Sequence, residues 1–417
     1  MPKFIFRVVL PILVVLALGY VAMLRTGDDA SVEELNSSIE ELSEAPMPEA
    51  IVEAEPEATV EAEGSFEAPV IEPDVSAAHE AVEEDFVKVS MYYATNRGLR
   101  PEAERDPDDP SSRYNNERGT MRYGVADISI PRDHRMGHLE TPNWLMKKLV
   151  GFEPDKHVTL LDVREWDRDK MLAEVKEKLA AVEDSALLAF VHGYNTSYRK
   201  AARRAGQLTY DLGFTGPSIF FSWPSQDRTE AYTVDSQNAE WSVPHMTEFL
   251  EHLTSREADQ VIVIAHSMGT RLLTKGLARL ADKDPEAAAR VTTVILAAPD
   301  IDAQIFREEL LPKFKALPRA ITLYASDDDT ALKASKAVNG FHRIGDASQG
   351  LFPMPGVDLI DASGAKSDFF GHTYFGDNAT ILSDMYELLQ SLNAAKDRPG
   401  LMQVDTPDGP YWKIRLE

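Results

Sequence analysis

Val261-Ile262-Val263-Ile264-Ala265-His266-Ser267-Met268-Gly269 decides how this chain folds. A continuous β run stops abruptly at Ala-x-Ser-x-Gly, and a helical pattern begins near Met268. A short, wholly apolar run of this kind reads as a parallel strand buried on both faces. The same alternation extends outward in both directions. Apolar runs fall at Leu187–Val191, Ile219–Trp223, Val291–Ala298, Ile321–Tyr324 and near Val357–Ile360. Helical periodicity fills the intervals at Asp167–Val182, Ser197–Leu212, Ala239–Leu253, Ile305–Leu317 and Asn378–Leu392. Val87–Tyr93 and Tyr123–Ile130 read as early strands, with a hairpin one way to pair them, and Val158–Leu161 as a short strand. Strands alternating with helices predict an open, mostly parallel α/β sheet with right-handed crossovers and helices on both faces. Its site belongs at the carboxyl ends of the strands.

The rest of the chain differs in composition. The 417 residues include 69 Asp or Glu and 43 Lys or Arg, a formal net charge of −26. Residues 28–85 alone carry 20 acidic and no basic side chains, leaving only −9 for residues 86–417. Rich in Glu, Ala and Pro, with Phe66 as its one aromatic, this stretch cannot bury enough apolar surface to offset the entropy of ordering. It reads as a disordered, self-repelling linker. Before it, residues 1–27 place Lys3 and Arg7 ahead of an uncharged run, Val8 to Leu24. As a helix that run spans roughly 26 Å at about 1.5 Å per residue, close to a hydrocarbon core about 30 Å thick. It is expected to be a single-pass anchor with the N-terminus cytoplasmic and the remainder extracytoplasmic; a cleaved secretory signal is the alternative. Residues 86–397 form the expected α/β domain and 398–417 a C-terminal extension. No segment offers the basic surface that nucleic acid requires. Cysteine is absent, which excludes disulfides, thiolate metal sites and Cys nucleophiles. Neither a metal-ligand spacing nor a Gly-rich phosphate loop is present, so no metal or organic cofactor is expected.

Strand, tight turn and helix are the context in which Ala-x-Ser-x-Gly exposes a nucleophile at Ser267. The small residues Ala265 and Gly269 let strand and helix approach, although the first position is more usually Gly. A serine hydroxyl needs a base, and the base an orienting carboxylate, following in the order Ser, acid, His. Of the two histidines after the last plausible acid, His372 in Phe369-Phe370-Gly371-His372-Thr373 precedes the final helix, where the base is expected. His342 follows Asp329 too soon. The strand Ile321–Tyr324 ends in Ala325-Ser326-Asp327-Asp328-Asp329; Asp329 is the preferred acid, with Asp327, Asp328 and Asp300 as alternatives. Acyl transfer also needs oxyanion donors. The backbone N–H of Met268 is one, and that of Tyr194, in His192-Gly193-Tyr194-Asn195 after Leu187–Val191, is the second. His192 reads as structural. Trp223 lines a pocket or packs beneath the loops, and Asn96, Arg97 and His134 anchor the N-terminal part against the site.

These segments, with Phe221-Ser222-Trp223-Pro224-Ser225, Tyr92-Tyr93-Ala94-Thr95-Asn96-Arg97 and Ile130-Pro131 before His134 and Gly137, together resemble the α/β-hydrolase superfamily. More narrowly they are similar to a poorly characterised bacterial branch of esterase/lipase-like proteins, over roughly residues 87–392. The resemblance implies a serine hydrolase with Ser267, Asp329 and His372 at the matching positions and a small-molecule ester or acyl substrate. It leaves acyl-chain length and oligomeric state open. An amidase or peptidase with the same triad, or an inactive envelope-tethered scaffold, are the rival expectations.

Overall fold

The computed structural model describes residues 85–142, 151–182, 185–255, 258–365 and 374–415. The predicted anchor, the acidic linker and His372 lie outside them. No helix among the described residues is long and apolar enough to cross a membrane. The described residues belong to one compact unit, Glu83–Glu417.

Among the described residues, eleven strands form a single sheet. In chain order they are β1 Phe86–Leu99, β2 Tyr114–Pro131, β3 Thr159–Trp166, β4 Ala186–Val191, β5 Ser218–Ser222, β6 Gln260–His266, β7 Val291–Ala297, β8 Ile321–Ala325, β9 Val357–Asp361, β10 Leu401–Thr406 and β11 Gly409–Ile414. The spatial order is β10-β11-β9-β8-β7-β6-β4-β5-β1-β2-β3. The centre, from β1 through β5, β4, β6, β7 and β8 to β9, is parallel. The edges are antiparallel: β1 with β2, β2 with β3, and β10 with β11. The first two strands do form a hairpin, and both are longer than their apolar runs.

Alternate residues of β6 feed opposite faces. Val261, Val263 and Ala265 pack with Met246, Leu272 and Leu277 on one side. Ile262 and Ile264 pack with Leu208, Leu382 and Met385 on the other. Helices α1 (Arg168–Ala180), α3 (Tyr232–Leu253) and α4 (Met268–Lys283) cover the first face. Helices α2 (Tyr198–Asp211) and α6 (Ala379–Ser391) cover the second. Side chains cap the N-termini of both helices on the second face. Ser197 accepts from the Lys200 N–H at the start of α2, and Asn378 accepts from the Thr380 and Ile381 N–H at the start of α6.

Three elements differ from the sequence reading. Residues 305–317 are not one helix but a helical turn Ala303–Ile305, a π turn Phe306–Leu310 and a 3-10 segment Leu311–Ala316. Pro312, which has no N–H and crowds the preceding turn, breaks the regular ladder there. A helix α5, Thr330–Asn339, follows β8; Asp329 caps it and Gly340 at φ 81° closes it. The C-terminal extension is a hairpin that completes one sheet edge, with Leu401, Trp412 and Ile414 buried.

Strand order puts the site where it is. From β4 the chain passes through α2 to β5 on one side, then α3 carries it back across β4 to β6. The remaining parallel strands extend the other way. β4 and β6 therefore flank the topological switch point, where a crevice opens beyond the strand ends. His192-Gly193 ends one of these strands and Ser267 the other.

Candidate active site

Backbone strain concentrates at this crevice. Five non-glycine residues among those described have positive φ, and four lie in the segments that leave the carboxyl ends of neighbouring parallel strands. They are Asp227 (φ 57°) beyond β5, Asn195 (φ 56°) beyond β4, Ser267 (φ 51°) beyond β6 and Ala298 (φ 47°) beyond β7. Each such residue costs on the order of 1–3 kcal/mol and persists only where its surroundings impose it.

Ser267, with φ 51° and ψ −127°, is the turn between β6 and α4. Its N–H donates to the Ala297 carbonyl at 3.0 Å, and its carbonyl accepts from the Thr270 hydroxyl at 2.6 Å. Small residues pack round it. A Cβ on Gly193 would lie 2.8 Å from the Ser267 Cβ, and one on Gly269 2.3 Å from the His192 carbonyl oxygen. Ala265 is wholly buried within β6, so the methyl that replaces the more usual glycine hydrogen is a core contact and not an obstruction. Met268 opens α4, whose first N–H groups have no partner within the helix and sit at its positive end.

The loop bearing Tyr194 is held from both sides. Buried Asp235 on α3 accepts from the Asn195 N–H (3.1 Å), the Ser225 hydroxyl (2.5 Å) and the Gln226 N–H (2.7 Å). Arg97, fully buried at the end of β1, donates to the Thr196 carbonyl (2.7 Å), the Ser225 carbonyl (3.0 Å) and the Ser222 hydroxyl (2.8 Å). Burial pulls the Arg97 guanidinium down and pushes the Asp235 carboxyl up, while the proximity of the two opposes both shifts. Asn96 donates to the Ser242 hydroxyl at 2.9 Å. The Tyr194 ring meets Tyr232 edge-on with centroids 5.4 Å apart, and its hydroxyl donates to the Thr229 carbonyl.

The acidic candidates separate by environment. Asp327 and Asp328 are exposed; Asp328 accepts from the Gly364 N–H at 2.8 Å. Asp300 is buried and holds Arg271 (2.7 Å), Tyr232 (2.8 Å) and Ser335 (2.5 Å). Asp329 is completely buried at the N-cap of α5, beyond β8, with one carboxylate oxygen accepting from the Leu332 N–H at 2.9 Å. His372 lies outside the described residues, but those bracketing it are anchored. Gly364 bonds the acid loop, and Phe375 stacks on His266, beside Ser267, with centroids 4.3 Å apart.

Residues 167–391, just over half of the chain, match the family model described as alpha/beta hydrolase of unknown function (DUF900). The chain belongs to this family. No curated protein matches it in sequence. Among solved structures it is similar to the native thermophilic esterase Est2 of the planctomycete Thermogutta terrifontis. That match has 12% identity and a TM-score of 0.29, over 66% of this chain and 90% of that one. The butyrate-bound form of Est2 matches at 14% identity and TM-score 0.27, over 50% and 81%. Phospholipase PlaB of Legionella pneumophila, in complex with thio-NAD, matches at 11% identity and TM-score 0.26, over 55% and 67%.

The remaining predicted residues have definite places, His134 ahead of the DUF900 match and the others within it. Trp223 does not face an open pocket. It is fully buried, stacked on His192 with centroids 5.1 Å apart, and donates its indole N–H to the His192 carbonyl at 2.8 Å. His192 accepts from the Trp223 backbone N–H at Nε2 (3.1 Å), so its proton sits on Nδ1 and is donated to the Gly193 carbonyl (2.8 Å). Burial, with a smaller contribution from Arg97, lowers its pKa to about 3, and the ring is a neutral brace. His342 lies beyond β7 and β8, edge-on to Phe352 and 4.0 Å from Asp346. His134 bridges Glu140 (2.9 Å) and Asp211 (2.7 Å), fastening the segment after β2 to α2. Sequence reasoning passed over Asp235 and Arg271. A buried acid in the first turn of α3, and an arginine one turn after the nucleophile position, were the available signals.

Proposed function

We propose that this protein is a serine hydrolase that cleaves carboxylic esters or thioesters through an acyl-enzyme on Ser267. What carries the reading is Ser267 itself: a non-glycine residue at φ 51° on a strand-to-helix turn, beside the switch point of the sheet. Its hydroxyl attacks the substrate carbonyl as His372 takes the proton. The tetrahedral oxyanion is met by the N–H groups of Met268 and Tyr194, on two loops whose geometry is fixed before charge develops. His372 then returns the proton to the leaving alcohol or thiol, and water repeats the cycle on the acyl-enzyme. Asp329 orients His372; its complete burial at the strand end after β8 distinguishes it from exposed Asp327 and Asp328, and Asp300 is committed to two arginines. The apolar run at residues 8–24 anchors the enzyme in the membrane, with residues 28–85 as a spacer holding the domain on the extracytoplasmic side.

A fluorophosphonate probe is expected to label Ser267, and Ser267→Ala to abolish both labelling and hydrolysis of p-nitrophenyl esters. Undiminished hydrolysis by that variant would overturn the assignment. A panel of esters of increasing chain length defines the acyl preference, with a preference for short chains excluding a true lipase. Membrane fractionation with and without residues 1–27 tests the anchor.

A further inference from the structure

Asp300, set aside as a base-orienting acid, is where the nucleophile turn, the acid helix and, through Tyr232, the oxyanion loop meet. Its N–H donates to the Ser267 carbonyl at 3.4 Å. Its own carbonyl accepts from Arg271 Nε, on the first turn of the helix behind the nucleophile. Oδ1 accepts from the Ser335 hydroxyl at 2.5 Å, on the helix that Asp329 caps, and faces Arg343 Nε at 3.3 Å. Oδ2 accepts from Arg271 Nη2 at 2.7 Å and from the Tyr232 hydroxyl at 2.8 Å. Tyr232 also accepts from Arg271 Nη2 (2.6 Å) and Asn339 Nδ2 (2.9 Å), and its ring is the one against Tyr194. Asp300 is 2% exposed, and the Arg271 and Arg343 side chains are 11% and 5% exposed.

Three loops leave three different strands, β4, β6 and β8, and each carries one part of the proposed site. Nothing in the parallel sheet fixes their spacing beyond the strand ends. The strained turn at Ala298 aims Asp300 between them. We propose that Asp300 is a positioning residue that holds the elbow of Ser267, the acid helix of Asp329 and, through Tyr232, the oxyanion loop of Tyr194 at working separation. Rates are sensitive to this because misplacement by about 1 Å costs on the order of 100-fold. The inference rests on the serine-hydrolase reading of Ser267.

The test compares Asp300→Asn, Ser335→Ala and Tyr232→Phe in the full chain, with p-nitrophenyl butyrate and the fluorophosphonate probe. Asp300→Asn leaves two buried guanidiniums facing a neutral amide and risks misfolding. The other two variants remove single neutral hydroxyls and keep the measurement decisive. Expected is a fall in kcat of roughly tenfold or more for Ser335→Ala and Tyr232→Phe, with KM unchanged, and a parallel slowing of probe labelling. Wild-type kcat and labelling in both hydroxyl variants, whatever happens to their melting temperatures, overturns the positioning role while the nucleophile assignment stands. Hydrolysis surviving in Ser267→Ala instead sinks the nucleophile assignment and the positioning role together.

Discussion

At the scale of single residues, the crevice is built by exclusion as much as by contact. Gly193 has no room for a side chain: its Cβ would meet the Ser267 Cβ at 2.8 Å, His266 Nδ1 at 2.9 Å and the His266 carbonyl at 3.1 Å. Two of these neighbours belong to backbone or near-backbone atoms that cannot swing aside. Gly193→Ala is therefore expected to lose roughly 100-fold in esterase kcat, at a cost in stability of only about 1–3 kcal/mol; steady-state kinetics and thermal melts on one preparation check both. Ser267, Gly193 and Gly269 were legible in the sequence because a turn between a parallel strand and a helix restricts residue type. The supports were legible only in part. Arg97 reads as an anchor of the N-terminal part against the site, but Asp235, 138 positions away, does not, because a buried acid whose partners are backbone N–H groups and a hydroxyl leaves no local pattern. Trp223 shows the same limit from the other side, since an aromatic at a strand end reads identically as pocket wall or as brace.

At the scale of elements, the apolar runs predicted β4 to β9 to within a residue or two because strands buried on both faces have no alternative composition. Where the reading failed, chemistry local to the segment competed with periodicity. Pro312 divided one helix into turns, and α5 is short and starts at an aspartate that reads equally as a helix cap or as a catalytic acid, although Asp329 and Gly340 bracket it with proper cap residues. The long connection after β2 has its own fastening at His134. Burial alone would lower the pKa of this ring, but the hydrogen bonds it donates to Asp211 and Glu140 outweigh it and raise the value to about 9. A folded-state pKa above the unfolded value of about 6.5 stabilises fully below that pH and is lost as pH rises through about 9. The contribution is on the order of 3 kcal/mol. The melting temperature is thus expected to fall between about pH 6.5 and pH 9, and His134→Gln to flatten that fall. An unchanged slope in the variant would assign the pH dependence elsewhere.

At the scale of the whole molecule, the family match and the folding unit do not coincide. Residues 167–391 match the family, yet the sheet extends on both sides of them. On the N-terminal side, β1 pairs with β5 and carries Arg97 to the Tyr194 loop. On the C-terminal side, β11 pairs with β9, and Arg398, wholly buried, holds the equally buried Asp384 of α6 at 2.7 Å. The charge is distributed in the opposite sense: −20 of the total −26 lies in residues 28–85, ahead of β1 in the sequence. Residues 85–417 alone are expected to melt cooperatively and to hydrolyse p-nitrophenyl esters at the rate of the full chain. Ending the chain at Asp397 is expected to be severe. It leaves Asp384 as a buried charge without its partner, worth about 3–5 kcal/mol. It also strips Leu401, Trp412 and Ile414 from the core, at roughly 1.5–3 kcal/mol for each large apolar side chain. Together these losses match the whole stability of a typical domain, about 5–15 kcal/mol. Scanning calorimetry of residues 85–417 and 85–397 side by side decides the matter: a cooperative transition in the shorter chain would show that the terminal hairpin is an appendage, and its absence that the sheet needs both outer edges to fold.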